Sequence, residues 1–188
     1  MNASTLARMP SDPLPEKIAS LVREARWLLV AAVGLYLALI LWGFDIADAG
    51  WSHVAANDGV ANPGGRAGAW LADLLLYLFG LSAWLWVALA FTSLLWGYHR
   101  INRHFGGGRR PIALALAGFL IVLLAACGLE SMRFWSMQVA LPLAPGGMIG
   151  VEIGRMVSRI LGFTGGTLIL IALAMVGFSI FTGLSWLT

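Results

Sequence analysis

Long uncharged apolar runs, separated by short polar connections, set the pattern of this chain. Residues 27–44 and 112–129 each form an eighteen-residue run without a charge. Residues 69–98 are also apolar and carry only Asp73, and no charge follows Arg159 up to the end. Eighteen residues at a rise of about 1.5 Å reach roughly 27 Å, close to the ~30 Å of a bilayer's hydrocarbon core. Backbone groups in hydrocarbon have only one another to bond, so these runs are predicted to be helices. The expected fold is all-α and polytopic, with membrane spans at about 27–44, 79–98, 112–129 and 164–186.

The second and fourth runs are too long for one straight crossing, since thirty residues extend some 45 Å. Gly80 and Gly162 are natural breaks. A short helix at the outer interface is expected before each of these spans, over 66–78 and 148–160. That placement lifts Asp73, Glu152, Arg155 and Arg159 out of the hydrocarbon centre, where a charge costs on the order of several kcal/mol.

Charge then orients the spans, because Lys and Arg gather in cytoplasmic loops. Arg8, Lys17, Arg23 and Arg26 precede the first span, and Arg100, Arg103, Arg109 and Arg110 join the second to the third without an acid. The first outer connection has Asp45, Asp48 and Asp58 against Arg66 alone, and the second is mixed. Both termini are therefore expected inside. Trp27, Trp42, Trp96, Tyr98 and Trp186 sit at span ends, as an aromatic belt requires. Residues 1–15, with Pro10, Pro13 and Pro15, read as a flexible cytoplasmic tail. Residues 16–26 place Ile18, Leu21, Val22 and Ala25 on one face, either as an amphipathic interfacial helix or as a solvated extension of the first span. Residues 27–188 form the membrane domain. The Ala47-Asp48-Ala49 triplet resembles a leader-cleavage site, but the apolar run before it is longer than a leader's and a partly acidic segment precedes it.

The outer connections repeat. Pro63, Gly64, Gly65, Gly68 and Gly80 each recur 82 positions later, as Pro145, Gly146, Gly147, Gly150 and Gly162. The same offset lays the first span on the third and the second on the fourth. The four spans thus form two repeated helix pairs, both starting inside, with an axis along the membrane normal. Gly64, Gly68 and Ala72 fall four apart, as do Gly146, Gly150 and Gly154, and small residues at this spacing let helices approach closely. Gly64, Gly65, Gly68, Gly80, Gly146, Gly147, Gly150, Gly154 and Gly162 are the candidate packing residues. A phosphate cradle is the rival reading of such turns, but no Lys stands beside them. Gly106-Gly107-Gly108 before Arg109 is basic and inside, which suits contact with anionic lipid head groups. At the offset of 82, Asp73 falls on Arg155. These two are candidates for a charge pair across a pseudo-twofold axis, with separate snorkelling, or capture of Arg155 by Glu152, as the alternatives.

Composition agrees with this plan and removes several chemistries. Hydrophobic residues make up 60% of the chain, charged ones 11%, and the mean hydropathy is +0.84. A freely soluble domain and a disordered chain are both excluded. The single Cys127 leaves no dithiol or multi-cysteine metal chemistry, and His53, His99 and His104 all lie outside the spans. Ser185 has no intramembrane base to activate it. Lys17 is the only lysine, and no phosphate-binding loop motif occurs. No catalytic, cofactor-binding or metal-binding residue is assigned. Asp73, the one carboxylate near a span, is read as an interfacial structural acid; its rival reading as a proton or cation site supports the alternative of a small channel or transporter subunit.

From Arg23 onward the chain resembles the N-terminal four-span membrane domain of the FtsK/SpoIIIE DNA translocases. The resemblance rests on Arg23-Glu24-Ala25-Arg26-Trp27, Gly50-Trp51-Ser52, the run from Gly64 to Asp73, Leu78-Phe79-Gly80, and the run from Phe181 to Trp186. Ile46-Ala47 departs from the polar, proline-containing turn usual there. The resemblance implies a membrane anchor in the inner membrane at the division septum. It also implies a homo-oligomer, a hexamer in this family, and contacts with division-site membrane proteins. ATP, Mg and DNA would be handled by a C-terminal motor beyond Thr188, so the chain is expected to be a fragment of a longer protein and not itself an enzyme.

Overall fold

The computed structural model describes residues 16–54, 59–102, 112–134 and 140–183. Among these residues every regular element is helical. Helix α1 spans Glu16–Trp42, α2 Gly65–Phe79, α3 Trp84–Asn102, α4 Ile112–Arg133 and α5 Gly147–Thr182, with a single 3₁₀ turn over Gly80–Ala83 between α2 and α3. Four stretches are long and apolar enough to cross a membrane: Ser20–Trp42, Gly65–Leu95, Ile112–Arg133 and Gly147–Thr182.

The chain runs up, down, up and down. Ile40 meets Ala83 and Val87, while Gly34 sits against Ala90, so α1 and α3 are antiparallel. Gly118, early in α4, faces Gly177 and Phe181 near the end of α5, so this pair is antiparallel too. One buried cluster joins Ile40 and Leu41 of α1 to Ala72 and Leu76 of α2 and to Ala83 and Val87. A second joins Phe119, Leu123 and Cys127 of α4 to Phe79, Trp86 and Leu89. Phe79 belongs to both, and its ring stands edge-on to Trp86 at 5.8 Å, which in turn meets Phe119 at 5.2 Å. Such tilted aromatic contacts add about 0.5–1.5 kcal/mol beyond burial.

Outside these clusters the helices present large apolar side chains outward. Leu28, Leu29 and Leu35 on α1 and Leu168 on α5 are each at least 60% exposed. A surface of this kind is costly in water and suits lipid. Glu16 to Arg26 continues into the first span as one helix without a break. The expected tail at 1–15, the basic connection at 103–111 with Gly106–Gly108, and Trp186 lie outside the described residues.

Both predicted breaks occur. Gly80 has φ 59° and ψ −138°, and Gly162 has φ 69° and ψ 176°. Only glycine occupies this region at low cost. Gly80 ends α2 and Gly162 interrupts α5, so each copy consists of a first span, a glycine turn, a short helix, a break and a returning span. The turns match as well: Gly65 and Gly147 have φ 65° and 63°, and Gly64 and Gly146 before them have φ −82° and −92°. In each copy the second glycine N–H donates three residues back, to Asn62 O at 2.9 Å and to Ala144 O at 2.8 Å. The repeat seen in sequence is thus a repeat of backbone conformation.

Candidate functional site

The buried polar side chains of the described residues are Asp48, Asn62, Asp73, Ser82 and Thr167, most of them near the glycine turns and breaks. The first outer connection leaves α1 at Trp42 and returns at Gly65. Two buried carboxylates shape it. Asp48 accepts the backbone N–H groups of Ala61 and Asn62 at 2.7 and 2.8 Å. Asn62 then donates its side-chain amide to Ile40 O and Gly43 O, at 2.9 and 3.1 Å, satisfying carbonyls at the end of α1. Its Oδ1 accepts the Gly64 N–H at 2.9 Å. Asn62 therefore ties the end of the first span to the start of α2.

Asp73 lies about two turns into α2 and is 1% exposed. Its carboxylate accepts the Ser52 N–H at 2.6 Å and the Ser52 hydroxyl at 3.0 Å. His53 Nδ1 lies 3.7 Å away and 2.9 Å from the Ser52 hydroxyl. A Cβ at Gly50 would press on Asp73, which explains a glycine there, and Trp51 packs on Tyr77 at 5.4 Å. Asp73 fastens the Gly50–His53 segment onto α2.

Arg155 is elsewhere. It is exposed and pairs with Glu152 at 2.7 Å, three residues back on the same helix. The pairing of Asp73 with Arg155 expected across a pseudo-twofold axis is not made. The reason is geometric: the two copies are not related by a twofold. Gly80 of the first copy sits against the Pro145–Gly147 turn of the second, where Leu81 N–H donates to Pro145 O at 2.7 Å. A twofold would also place Gly162 against the Pro63–Gly65 turn. A Cβ at Gly162 or at Gly65 would instead meet nothing within 4 Å.

The remaining glycines touch α1 or α4. A Cβ on Gly64 or Gly68 would strike the Ile40 side chain, whereas one on Gly146 or Gly150 would strike the Cys127 carbonyl. Gly154 faces Ser131 and Met132. The Ser131 hydroxyl donates to Gly150 O at 2.6 Å. A second polar contact joins the copies: Glu130 of α4 accepts the Ser82 N–H at 3.0 Å and the Ser82 hydroxyl at 2.7 Å. Arg133 donates to Thr167 at 3.1 Å and stacks on Phe163 at 4.4 Å.

Sequence reasoning missed Asp48, Asn62, Ser82 and Glu130. Asn before Pro-Gly-Gly was a readable turn signal, but nothing local tells that its amide caps a preceding helix. No group of three or more His, Cys, Asp or Glu side chains able to hold a metal occurs among the described residues. The cap offers buried acceptors already filled by backbone donors, which is the chemistry of a rigid scaffold.

These features define a class: a multi-pass helical membrane domain whose buried polar residues hold its glycine turns. The family described as the 4TM region of DNA translocase FtsK/SpoIIIE matches residues 19–188, and the chain belongs to it. DNA translocase FtsK 2 of Ralstonia nicotianae is 40% identical over 98% of this chain and 25% of its own length. DNA translocase FtsK 1 of Neisseria meningitidis serogroup B is 33% identical over 92% of this chain and 22% of its own length. DNA translocase FtsK of Pseudomonas putida is 29% identical over 98% and 22%, respectively. The chain thus spans about a quarter of the curated relatives it matches. No solved structure matches it.

Proposed function

We propose that this domain anchors an ATP-driven DNA translocase in the bacterial inner membrane at the division septum, where the whole protein serves cell division and chromosome segregation. The observation that carries the reading is the family match over 19–188 in a chain covering a quarter of relatives that are named DNA translocases. The domain holds lipid, associates with further copies of itself, as a hexamer by family resemblance, and meets other division-site membrane proteins. The short helices before the second and fourth spans lie at the outer interface, and residues 16–26 at the inner one. DNA, ATP and Mg belong to a motor that follows the membrane domain. A channel or transporter role for Asp73 is not favoured, because its carboxylate is engaged by Ser52.

A fluorescent fusion of the complete gene product tests this reading. It is expected to gather at midcell during constriction, and deletion of residues 1–188 is expected to leave the remainder diffuse. Uniform membrane fluorescence at every stage, with chromosome segregation unaffected by the deletion, would contradict it.

A further inference from the structure

The end of the α4–α5 hairpin carries two positive charges that no acid balances. Arg133 is the last residue of α4, and Arg159 stands three residues before the Gly162 break. Both are exposed. The acids nearest to them in sequence are already engaged: Glu130 accepts twice from Ser82, and Glu152 is paired with Arg155. Among the described residues neither Arg133 nor Arg159 has an acidic partner.

The Arg133 guanidinium is nevertheless held in place. Its Nε donates to Thr167 Oγ1 at 3.1 Å, and its central carbon lies 4.4 Å from the centre of the Phe163 ring. Thr167 is buried and is itself fixed, because its hydroxyl donates to Phe163 O at 2.8 Å. One N–H and one face are thus used. A guanidinium presents five N–H donors in a planar fork, and among the described residues only the one on Nε has a protein acceptor. The surroundings are apolar: Met156, Ile160, Leu161, Phe163 and Leu168 are each at least 46% exposed. Arg133 ends a stretch long and apolar enough to cross a membrane, and the part of α5 after Gly162 returns alongside it. The guanidinium therefore sits where hydrocarbon gives way to lipid headgroups. A cation at that depth is stable when its donors find acceptors. Of what the headgroup layer offers, a phosphodiester fits the free edge of the fork, with two oxygens and a negative charge in a bidentate pair.

We propose that Arg133, stacked on Phe163 and tied to Thr167, binds the phosphate of an anionic phospholipid at the membrane face that carries the glycine turns. Arg159 adds a second charge on the other side of the Gly162 break. Acyl chains of the bound lipid cover Phe163 and Leu168. A headgroup with an ammonium of its own already satisfies part of its phosphate, so a lipid of net negative charge is selected. The site depends on the spans alone and not on what the whole protein moves or how many copies assemble.

Photo-crosslinking of the full chain in nanodiscs tests this. The discs are phosphatidylethanolamine with a trace of a phospholipid that bears a diazirine high on one acyl chain and either a glycerol or an ethanolamine headgroup. Lipid adducts on residues 156–168 are counted by mass spectrometry after digestion. The glycerol lipid is expected to exceed the ethanolamine lipid there by about tenfold, as one charge-assisted hydrogen bond allows. Arg133→Gln is expected to remove the excess, and Arg133→Lys, which keeps the charge but not the fork, to leave about a third of it. Arg159→Gln, at an exposed side chain without a protein partner, is expected to lower the excess about fivefold. Equal labelling by the two lipids would overturn the proposal, as would an excess that survives in both Arg133→Gln and Arg159→Gln. Should Arg133→Gln fail to accumulate, Arg133→Lys and Arg159→Gln decide by the same rule. An excess abolished by inorganic phosphate, but not by sodium chloride of equal ionic strength, would give the site to a free anion and overturn the lipid.

Discussion

In the first half of the molecule, α1 meets its returning helices through Ile40 and through a connection held by Asp48, Asn62 and Asp73. In the second half, α4 and α5 approach backbone to backbone. Gly118 faces Gly177, Gly128 faces Ile153 and Leu170, and Gly146 and Gly150 sit on the Cys127 carbonyl. One glycine turn and one glycine break serve both halves, yet the first closes with buried hydrogen bonds and the second with contact between small residues. The difference follows from the connections. Residues 43–54 and 59–64 connect α1 to α2, and their buried backbone donors need acceptors. The second turn, at Pro145–Gly147, lies directly against α4 and needs little else.

Substitutions should separate the two modes. The largest effect is expected at Gly150. Its added methyl group would strike backbone, which cannot move without parting α4 from α5. Gly150→Ala is expected to cost about 3 kcal/mol, in the range of overpacking within a well-packed interior, and Gly150→Leu to abolish the folded domain. Gly68→Ala meets side-chain atoms of Asn62 and Ile40, both 2.9 Å away, and not backbone, so about 1 kcal/mol is expected. Reversible unfolding in detergent, followed by circular dichroism, ranks the two. Equal losses would break the contrast.

Asp73→Asn comes next. It removes a charged acceptor from Ser52 while keeping the shape, and hydrogen bonds to charged groups contribute roughly 1.5–3 kcal/mol. The loss is expected to be local. Hydrogen exchange at the Ser52 amide should accelerate about tenfold or more, corresponding to at least 1.4 kcal/mol, while α4 and α5 amides are unchanged. Acceleration throughout α5 would show that the two halves are not separately closed. Arg155→Gln should be nearly silent, since an exposed i,i+3 pair contributes about 0–0.5 kcal/mol. A thermal midpoint lowered as far as in Asp73→Asn would mean that Arg155 has a partner beyond Glu152.

Much of this architecture was legible before any coordinates. Uncharged runs of eighteen residues admit no other structure in a bilayer, and Pro-Gly-Gly recurring 82 positions later announces a repeated backbone. The breaks at Gly80 and Gly162 were readable because the apolar stretches around them exceed one crossing. The partner of Asp73 was not readable. It is Ser52 of the same copy, laid over α2 by the connection that follows α1, which an offset in sequence does not encode. The α4–α5 seam was half legible: Gly146, Gly150 and Gly154 show the four-residue spacing and do face α4, whereas Gly118, Gly128 and Gly177 follow no such spacing and gain meaning only once the helices are antiparallel. Asp48 looked like one more acid on a polar loop, and its role depends on Ala61 and Asn62 folding back over it.

The most direct test of the central claim is which side of the membrane the turns occupy. The proposed DNA motor would work in the cytoplasm, which requires both termini of this domain to be inside and both glycine turns outside. Gly59→Cys and Leu143→Cys stand on the two outer connections and are exposed, while native Cys127 is buried. In intact spheroplasts, a membrane-impermeant maleimide is predicted to label both, and to label Gly106→Cys only after permeabilisation. Labelling of Gly106→Cys in intact spheroplasts, with Gly59→Cys and Leu143→Cys protected, would invert the domain and contradict the account.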